Sequence, residues 1–437
     1  MALDITRRSF AASTVVTALS AARVYGANDR IRIGLIGCGG RGKQDWTTLL
    51  KQKDAQAVVV CDLYEPFRAQ GAQMAGTVEQ TTEFRRVLDR KDVDAVIIAV
   101  PDHWHALMTT SACEAGKDVY CEKPLSLTID DGKKMVASAR RHTRVVQTGS
   151  QQRSGSHYAQ AAKMIQDGAI GEVHEIRAGM TRNAAGGFKP TAMADGPAPG
   201  FDWNMWLGPA PQRPFDAFRC IYNFRWFWDY SGGQMTNMGT HYIDVIQMAL
   251  GQDAPLAVTA IGGNFAVEDD REIPDTMEAL WQYKDCVVAF LQVNANNAPG
   301  SLPGIEMELR GTKGTMYITN KDYHIVPDGI QEGPYPARGP LTKKEMTHKP
   351  VIEEKTVKGG IDEHAHMKNF FDCVKSREKC NCDVETGHRS TTSTLIANVA
   401  YRTKTHLQWD REAEKFKNSD EANKLLSYKY REPWKLA

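Results

Sequence analysis

The sequence predicts an α/β fold: a parallel, doubly wound sheet in the first third of the chain, then an α+β domain built on an open-faced, mainly antiparallel sheet. Three observations carry this. Short apolar runs alternate with helical stretches up to residue 150, strands outnumber helices beyond it, and the first apolar run ends in a glycine loop, Gly37-Cys38-Gly39-Gly40-Arg41-Gly42. Near-continuous apolar strands separated by helices belong to a parallel sheet covered on both faces.

The first strand (Ile31, Ile33, Leu35, Ile36) runs directly into G-x-G-x-x-G. The first glycine permits the tight turn, the second lets backbone approach a pyrophosphate, and the third lets the following helix pack closely. Amides and dipole at that helix's N-terminus then face the phosphates. A second run, Ala57-Val58-Val59-Val60-Cys61, ends in Asp62, 20 residues past Gly42, where a ribose-binding carboxylate belongs. A carboxylate there accepts from both ribose hydroxyls and repels a 2′-phosphate, so the unit reads as a Rossmann domain for NAD, with NADP disfavoured.

The alternation continues. A strand over residues 94–100 stops at Pro101, a helix runs to Gly116, and a strand, Asp118–Cys121, precedes a helix over 129–141 and a last strand, Val145-Val146-Gln147. In such sheets ligands bind beyond the carboxyl ends of the strands. From residue 151 the texture changes to a helix over 158–168, a strand over 172–180, a long loop over 181–230 rich in Gly, Pro and aromatics, and an amphipathic helix over 235–250. Strands follow near 256–268, 276–284, 286–295, 304–310 and 314–318. Residues 320–358 read as a polar surface excursion, and 364–375 and 385–405 as helices. The expected division is a leader over 1–28, an NAD-binding domain over 29–150, a substrate domain over 151–360, and helices over 361–437 packing back on both.

At 437 residues, two domains are expected. A net charge of +1 gives no reason for nucleic acid or an anionic membrane as partner, and no apolar run is long enough for a membrane span. Thr6-Arg7-Arg8-Ser9-Phe10 followed by an uncharged stretch from Ala11 to Ala22 reads as a twin-arginine export signal, so the expected partner is that export machinery and the expected location the periplasm or beyond. Export of a folded protein suits a cofactor that is held tightly. Of nine cysteines, Cys38, Cys61, Cys113 and Cys121 read as small buried residues, and pairing among Cys373, Cys380 and Cys382 is not expected. No Cys/His grouping has zinc spacing; His364-x-His366 opens a helix, and no metal is expected.

Glu122-Lys123-Pro124 closes the strand Asp118–Cys121 at the carboxyl edge of the sheet, on the nicotinamide side of the cleft. A lysine in a partly desolvated, positively charged site loses proton affinity and suits general acid/base work. Val100-Pro101-Asp102-His103-Trp104-His105, Ala115-Gly116-Lys117-Asp118 through Pro124, Trp206-Leu207-Gly208-Pro209, Gly232 through Asp244, and the helix around residues 387–401 together resemble the Gfo/Idh/MocA oxidoreductases. The resemblance implies a nicotinamide-dependent redox step on a carbohydrate or cyclitol hydroxyl, in a homodimer or homotetramer. It places Gly37, Gly39, Gly40, Arg41, Gly42, Asp62, Pro101, His105, Glu122 and Lys123 around the cofactor, and aligns Lys123 and His241 with the family's catalytic lysine and histidine. His105 also reads as a support for the helix after residue 100.

One departure concerns Asn237, where family dehydrogenases often carry aspartate: an amide orients a hydroxyl or the histidine but cannot act as a base. Asn237 and His241 stand at i, i+4 and are expected on one helical face. Gln151, Arg153 and Tyr158 are candidates either to touch substrate or to staple the domains. The segment Tyr222-Asn223-Phe224-Arg225-Trp226-Phe227-Trp228-Asp229 either stacks on sugar, with Arg225 and Trp226 as contacts, or closes the cleft or an oligomer contact. Redox-neutral glycoside hydrolysis by oxidation, elimination, hydration and reduction is the alternative, although the Pro-Thr-His pattern of that branch is missing. A non-catalytic sugar or NAD sensor is a third reading, disfavoured by Lys123 and His241.

Overall fold

The computed structural model describes residues 30–436 apart from 77, 191, 294, 297–305 and 332–347. The leader expected over 1–28 lies outside the described residues. The first domain holds β1 (Ile31–Ile36), α1 (Gly40–Leu50), β2 (Ala55–Cys61), α2 (Glu65–Ala75), β3 (Glu79–Thr81), α3 (Phe84–Leu88), β4 (Ala95–Ile98), α4 (Asp102–Glu114), β5 (Asp118–Cys121), α5 (Ile129–Arg141) and β6 (Val146–Thr148). All its strands pair in parallel, in the order β3-β2-β1-β4-β5-β6. β4 and β5 are buried at every position and β1 at all but one, which is why their sequences are near-continuous apolar runs. The strand order reverses between β1 and β4, so the strand ends there open on one crevice. Gly37, Asp62, Pro101 and Glu122 follow β1, β2, β4 and β5 into it.

The second domain begins with α6 (Ser156–Gln166) and β7 (Val173–Asn183). A short helix, α7 (Trp203–Leu207), precedes α8 (Gly233–Asn237) and α9 (Gly239–Leu250). The strands are β8 (Ala257–Gly263), β9 (Thr276–Gln282), β10 (Val287–Val293), β11 (Ala295–Asn296), β12 (Met307–Gly311), β13 (Gly314–Ile318), β14 (Asp322–Pro327), β15 (Gly329–Gln331), β16 (His348–Pro350) and β17 (Lys355–Lys358). Two long helices follow, α10 (Glu363–Ser376) and α11 (Val384–Thr403), then β18 (Leu407–Asp410) and β19 (Lys415–Phe416). The large sheet runs β17-β14-β13-β12-β7-β10-β9-β8-β18-β19 and is antiparallel except where β7 meets β10. Its inner face (Met277, Ala279, Trp281, Val288, Phe290) packs on α6, α9 and α11. The alternate residues Ile261, Leu280, Val287 and Leu291 point away from that core and are 77%, 41%, 45% and 39% exposed. No described helix is long and apolar enough to cross a membrane.

Four expectations need correction. Residues 320–358 are more than a surface excursion: β14 and β17 extend the large sheet, and Tyr323 and Ile325 alternate into its core within an otherwise polar stretch. Residues 361–437 are more than helices, since β18 joins the same sheet through Leu407 opposite Val258. The loop over 181–230 encloses an aromatic core of its own, with Trp206, Phe218, Trp226, Phe227 and Tyr230 buried. Finally, the helix expected over 235–250 breaks at Met238. The carbonyl of Asn237, which the His241 N–H would take in a continuous helix, accepts from Lys123 Nζ at 3.0 Å, and the His241 N–H turns to Met238 O at 3.0 Å.

α11 fastens the two domains together. It is buried along most of its length and carries small residues on the faces where it meets both. A Cβ on Gly387 would stand 2.0 Å from Thr148 Oγ1, and one on Gly132 of α5 2.3 Å from His388 Nδ1. Thr391 Oγ1 accepts from the Leu125 N–H at 3.1 Å, and Asn398 Nδ2 donates to Gly232 O at 2.8 Å. The residues after β19 return to the boundary between the domains: Trp434 packs edge-on against Trp104 of the first at 4.9 Å, and Arg431 Nε donates to Gly208 O of the second at 3.0 Å. All nine cysteines are buried and free.

Candidate active site

A cleft of about 430 Å³ runs along the carboxyl ends of β1, β2, β4 and β5, roofed by Phe201, Trp206, Tyr222 and Phe224 of the second domain. At one end lies the glycine loop. Gly37 has φ +92°, and a Cβ there would meet Ala99 O at 2.3 Å; a Cβ on Gly42 would meet Gly37 O at 1.9 Å. These two positions therefore require glycine, one for its backbone and both for space. Gly40 faces open space, with nothing within 4 Å of an added Cβ, and Gly39 caps α1 without any side-chain bond. The first amides of α1 are thus left to an incoming anion. Asp62 accepts from Cys38 N (2.7 Å) and Tyr64 N (2.8 Å), which fixes its carboxylate at the cleft edge. Burial pushes its proton affinity up, against these two donors.

Deeper in the cleft, Arg41 spans three carboxylates: Asp45 Oδ1 at 2.6 Å, Glu122 Oε1 at 3.0 Å and Glu363 Oε1 at 2.8 Å. Burial opposes ionisation of Glu122, but Arg41 and then Lys123 outweigh it and hold the carboxyl below its ordinary range. Gln151 Nε2 donates to the same carboxylate at 2.7 Å. The next residue, Lys123, sends Nζ to Asn237 Oδ1 at 2.7 Å and to Asn237 O at 3.0 Å. The amide of Asn237 is oriented in turn by donating to Gln234 Oε1 at 2.8 Å. Burial pushes the Lys123 ammonium down to about 8; Arg225 and Arg41 add to the shift, and Glu122 and Asp102 oppose it. Burial, followed by the charges of Lys123 and Arg41, holds His241 neutral well below the usual histidine range. Its Nδ1 is buried and has no hydrogen-bond partner among the described residues.

Residues 31–150 match the oxidoreductase-family NAD-binding Rossmann fold, and residues 191–436, over half the chain, match that family's C-terminal alpha/beta domain. The chain belongs to the Gfo/Idh/MocA oxidoreductase family. An uncharacterized oxidoreductase, YrbE, of Bacillus subtilis is 28% identical over 34% of this chain, which spans 43% of that protein. A 2,7-anhydro-N-acetylneuraminate hydratase of Mediterraneibacter gnavus is 25% identical over 68% of this chain and 72% of its own length. Among solved structures, a levoglucosan dehydrogenase in complex with NADH and levoglucosan superposes with a TM-score of 0.65 at 18% identity, covering 87% of this chain and 99% of that one.

The cradle fits the cofactor of a Gfo/Idh/MocA domain. Gly39, Gly40 and the first turn of α1 would hold the diphosphate of NAD, and Asp62 the adenosine ribose. Arg41, Pro101, Glu122, Lys123, Asn237 and Arg225 all line the cleft. Seven expected site residues do not. Gly42 packs tightly beneath Gly37 O, and His241 stands off the cleft lining with its Nδ1 buried. Gln151 lies behind Glu122, bonded also to Tyr120 OH at 2.8 Å. Arg153 pairs with buried Asp244 at 2.7 Å, and Tyr158 is fully buried, donating to Glu306 Oε2 at 3.1 Å. Trp226 is fully buried beneath the Arg271 guanidinium, 4.7 Å from its ring centroid. His105, expected at the cofactor, is buried behind the wall, its ring nitrogens 2.7 Å from Pro124 O and 2.9 Å from Val100 O. Two carbonyls require two N–H donors, hence an imidazolium. Burial opposes that charge, but Cys121, Asp102 and the Pro124 carbonyl push the ring up to about 9.

Sequence reasoning missed the Arg41 ion cluster, because Asp45 and Glu363 look like ordinary helix-surface residues; an arginine inside the glycine loop was the available signal. It also missed the apolar wall formed by Tyr64, Phe67 and Phe84. The close packing of the loop predicts that Gly42→Ala lowers both the thermal midpoint and NAD affinity, the latter by at least about tenfold, as read by fluorescence titration. Gly40→Ala, with open space at its Cβ, should keep the wild-type midpoint.

Proposed function

We propose that this protein is an exported NAD-dependent oxidoreductase acting on a hydroxyl of a sugar, glycoside or cyclitol, with a tightly held cofactor that is recycled in place. The observation that carries this reading is Lys123, a half-buried amine with its pKa pushed down to about 8, tethered at two points in the cleft that holds the dinucleotide cradle. The solved relative named for NADH and levoglucosan has the same fold and supports the substrate class. Twin arginines at Arg7-Arg8 support export.

When bound, NAD supplies a hydride acceptor. The chain's own residues manage the proton. A neutral lysine has two N–H bonds and one lone pair. Asn237 O and Oδ1 take both N–H bonds, so the lone pair is left for the substrate hydroxyl. That makes Lys123 the general base and Asn237 the group that aims it. His241, neutral, within electrostatic reach of Lys123 and with no partner for Nδ1 among the described residues, is a second acceptor set behind the cleft lining. Phe201, Trp206, Tyr222 and Phe224 keep water from the reacting groups. Similarity to a hydratase supports a second, redox-neutral reading, in which the same groups serve oxidation, elimination, hydration and reduction of a glycoside. The outward-facing apolar strip at Ile261, Leu280, Val287 and Leu291 supports pairing with a second copy of the chain.

Three outcomes follow. If neutral Lys123 is the base, kcat/KM rises with pH through about 8, and Asn237→Asp moves that limb upward because a carboxylate beside Nζ favours the ammonium; an unmoved limb would assign the titration to another group. Protein purified without added cofactor and then denatured should release NAD(H) in near-stoichiometric amount, whereas an empty protein would rule out resident cofactor. Leu280→Glu with Leu291→Glu should convert the oligomer to monomer in light scattering while leaving the thermal midpoint nearly unchanged.

A further inference from the structure

Arg225 helps lower the proton affinity of Lys123, but holding a neutral sugar does not call for its unpaired charge. It lies in a short helical turn, Asn223–Trp226, at the cleft wall shared with Lys123 and Asn237. Its guanidinium is stacked on two rings, 4.7 Å from the Tyr222 centroid and 4.6 Å from that of Phe224. Nη1 donates to Tyr222 O at 3.2 Å. Among the described residues no carboxylate lies within ion-pair distance of it, and Nε and Nη2 make no hydrogen bond. Its neighbours are arranged otherwise. Arg41 meets three carboxylates, Arg213 pairs with Asp229 at 2.6 Å, Arg219 with Glu272 at 3.1 Å, and Arg271 with Asp269 at 2.6 Å.

The surrounding charge points the same way. Arg182 stacks on the Tyr222 ring at 5.4 Å and donates to its hydroxyl, placing a second guanidinium behind the first. Lys123 is the third cation. The acidic groups nearby are Glu122, committed to Arg41, and Asp102, which accepts from Ser231 Oγ at 2.6 Å and whose ionisation burial disfavours. A neutral polyol entering here would strip water from a guanidinium and return no charge. A carboxylate would meet the free edge of Nε and Nη2 in two parallel N–H···O bonds. The diphosphate of the cofactor has its own cradle at Gly39 and Gly40.

We propose that Arg225 is the specificity residue of the cleft and that the substrate is an acidic sugar of the hexuronate type, whose carboxylate it binds side-on. This rests on the oxidoreductase reading above and names its substrate class. The test is calorimetric binding of glucuronate, galacturonate and mannuronate, each against its parent hexose, to protein loaded with NAD. At least one uronate should bind about tenfold or more tightly than its hexose. Arg225→Gln should abolish that preference and Arg225→Lys keep part of it, with NAD affinity unchanged in both. Raising ionic strength should weaken uronate binding to the unaltered protein, a readout independent of any variant's folding. Hexoses that bind as well as the uronates, a preference that survives Arg225→Gln, or no uronate bound would each overturn the proposal. So would NAD affinity lost with Arg225→Gln in a variant of wild-type thermal midpoint. Binding needs no turnover, so uronate selectivity in a protein that oxidises nothing would fail the oxidoreductase reading alone.

Discussion

The guanidinium of Arg41 is the constraint on which the site depends. It leaves the glycine loop at the start of α1 and meets carboxylates from its own helix, from the end of β5 and from the start of α10. Three segments distant in sequence are thereby fixed around one charge. Buried ion clusters cost desolvation that their attraction barely repays, and so they contribute little net stability. Here the cluster sets geometry: Glu122, held by Arg41 and Gln151, is the residue immediately before Lys123. Where the glycine loop goes, the lysine follows.

The same region separates two electrostatic tasks. Cofactor diphosphate and proton transfer both favour positive potential, yet a base must be able to lose its proton. Desolvation, with help from Arg225 and Arg41, lowers the proton affinity of Lys123, while Glu122 and Asp102 limit how far it falls. Asn237 enters this balance as a neutral group. Two unit charges 4 Å apart interact by about 4 kcal/mol at an effective dielectric of 20, so an amide directs the amine without the large bias that a carboxylate at that position brings.

Legibility in the sequence followed the range of the physics. β1, β2, β4 and β5 were readable because strands buried on both faces leave apolar runs, and Gly37, Gly42 and Asp62 because loop and ribose impose fixed spacing. Lys123 and Asn237 were readable only through motifs, and their hydrogen bond spans 114 residues of chain. Pattern reading failed where partners lie far apart. It could not see that Lys123 would take the Asn237 carbonyl and split a helix, nor that Arg153 and Tyr158 would be used up by Asp244 and Glu306. β14 and β18 were missed because each places only a couple of side chains inward, too few to stand out from polar surroundings. Trp226 looked like a sugar platform because sequence does not say which face of an aromatic turn is inside.

The return of the chain's end has a consequence for its biosynthesis. Trp434 seats on Trp104, β18 pairs with β8, and α11 threads small side chains between the two domains. On a ribosome the first domain emerges early but lacks its wall until Trp434 clears the exit. Vectorial folding, one domain after another, therefore stops short of the native state. Completion waits for α11, β18 and Trp434 to emerge, and until then the apolar groove awaiting α11 is exposed to chaperones and to other nascent chains.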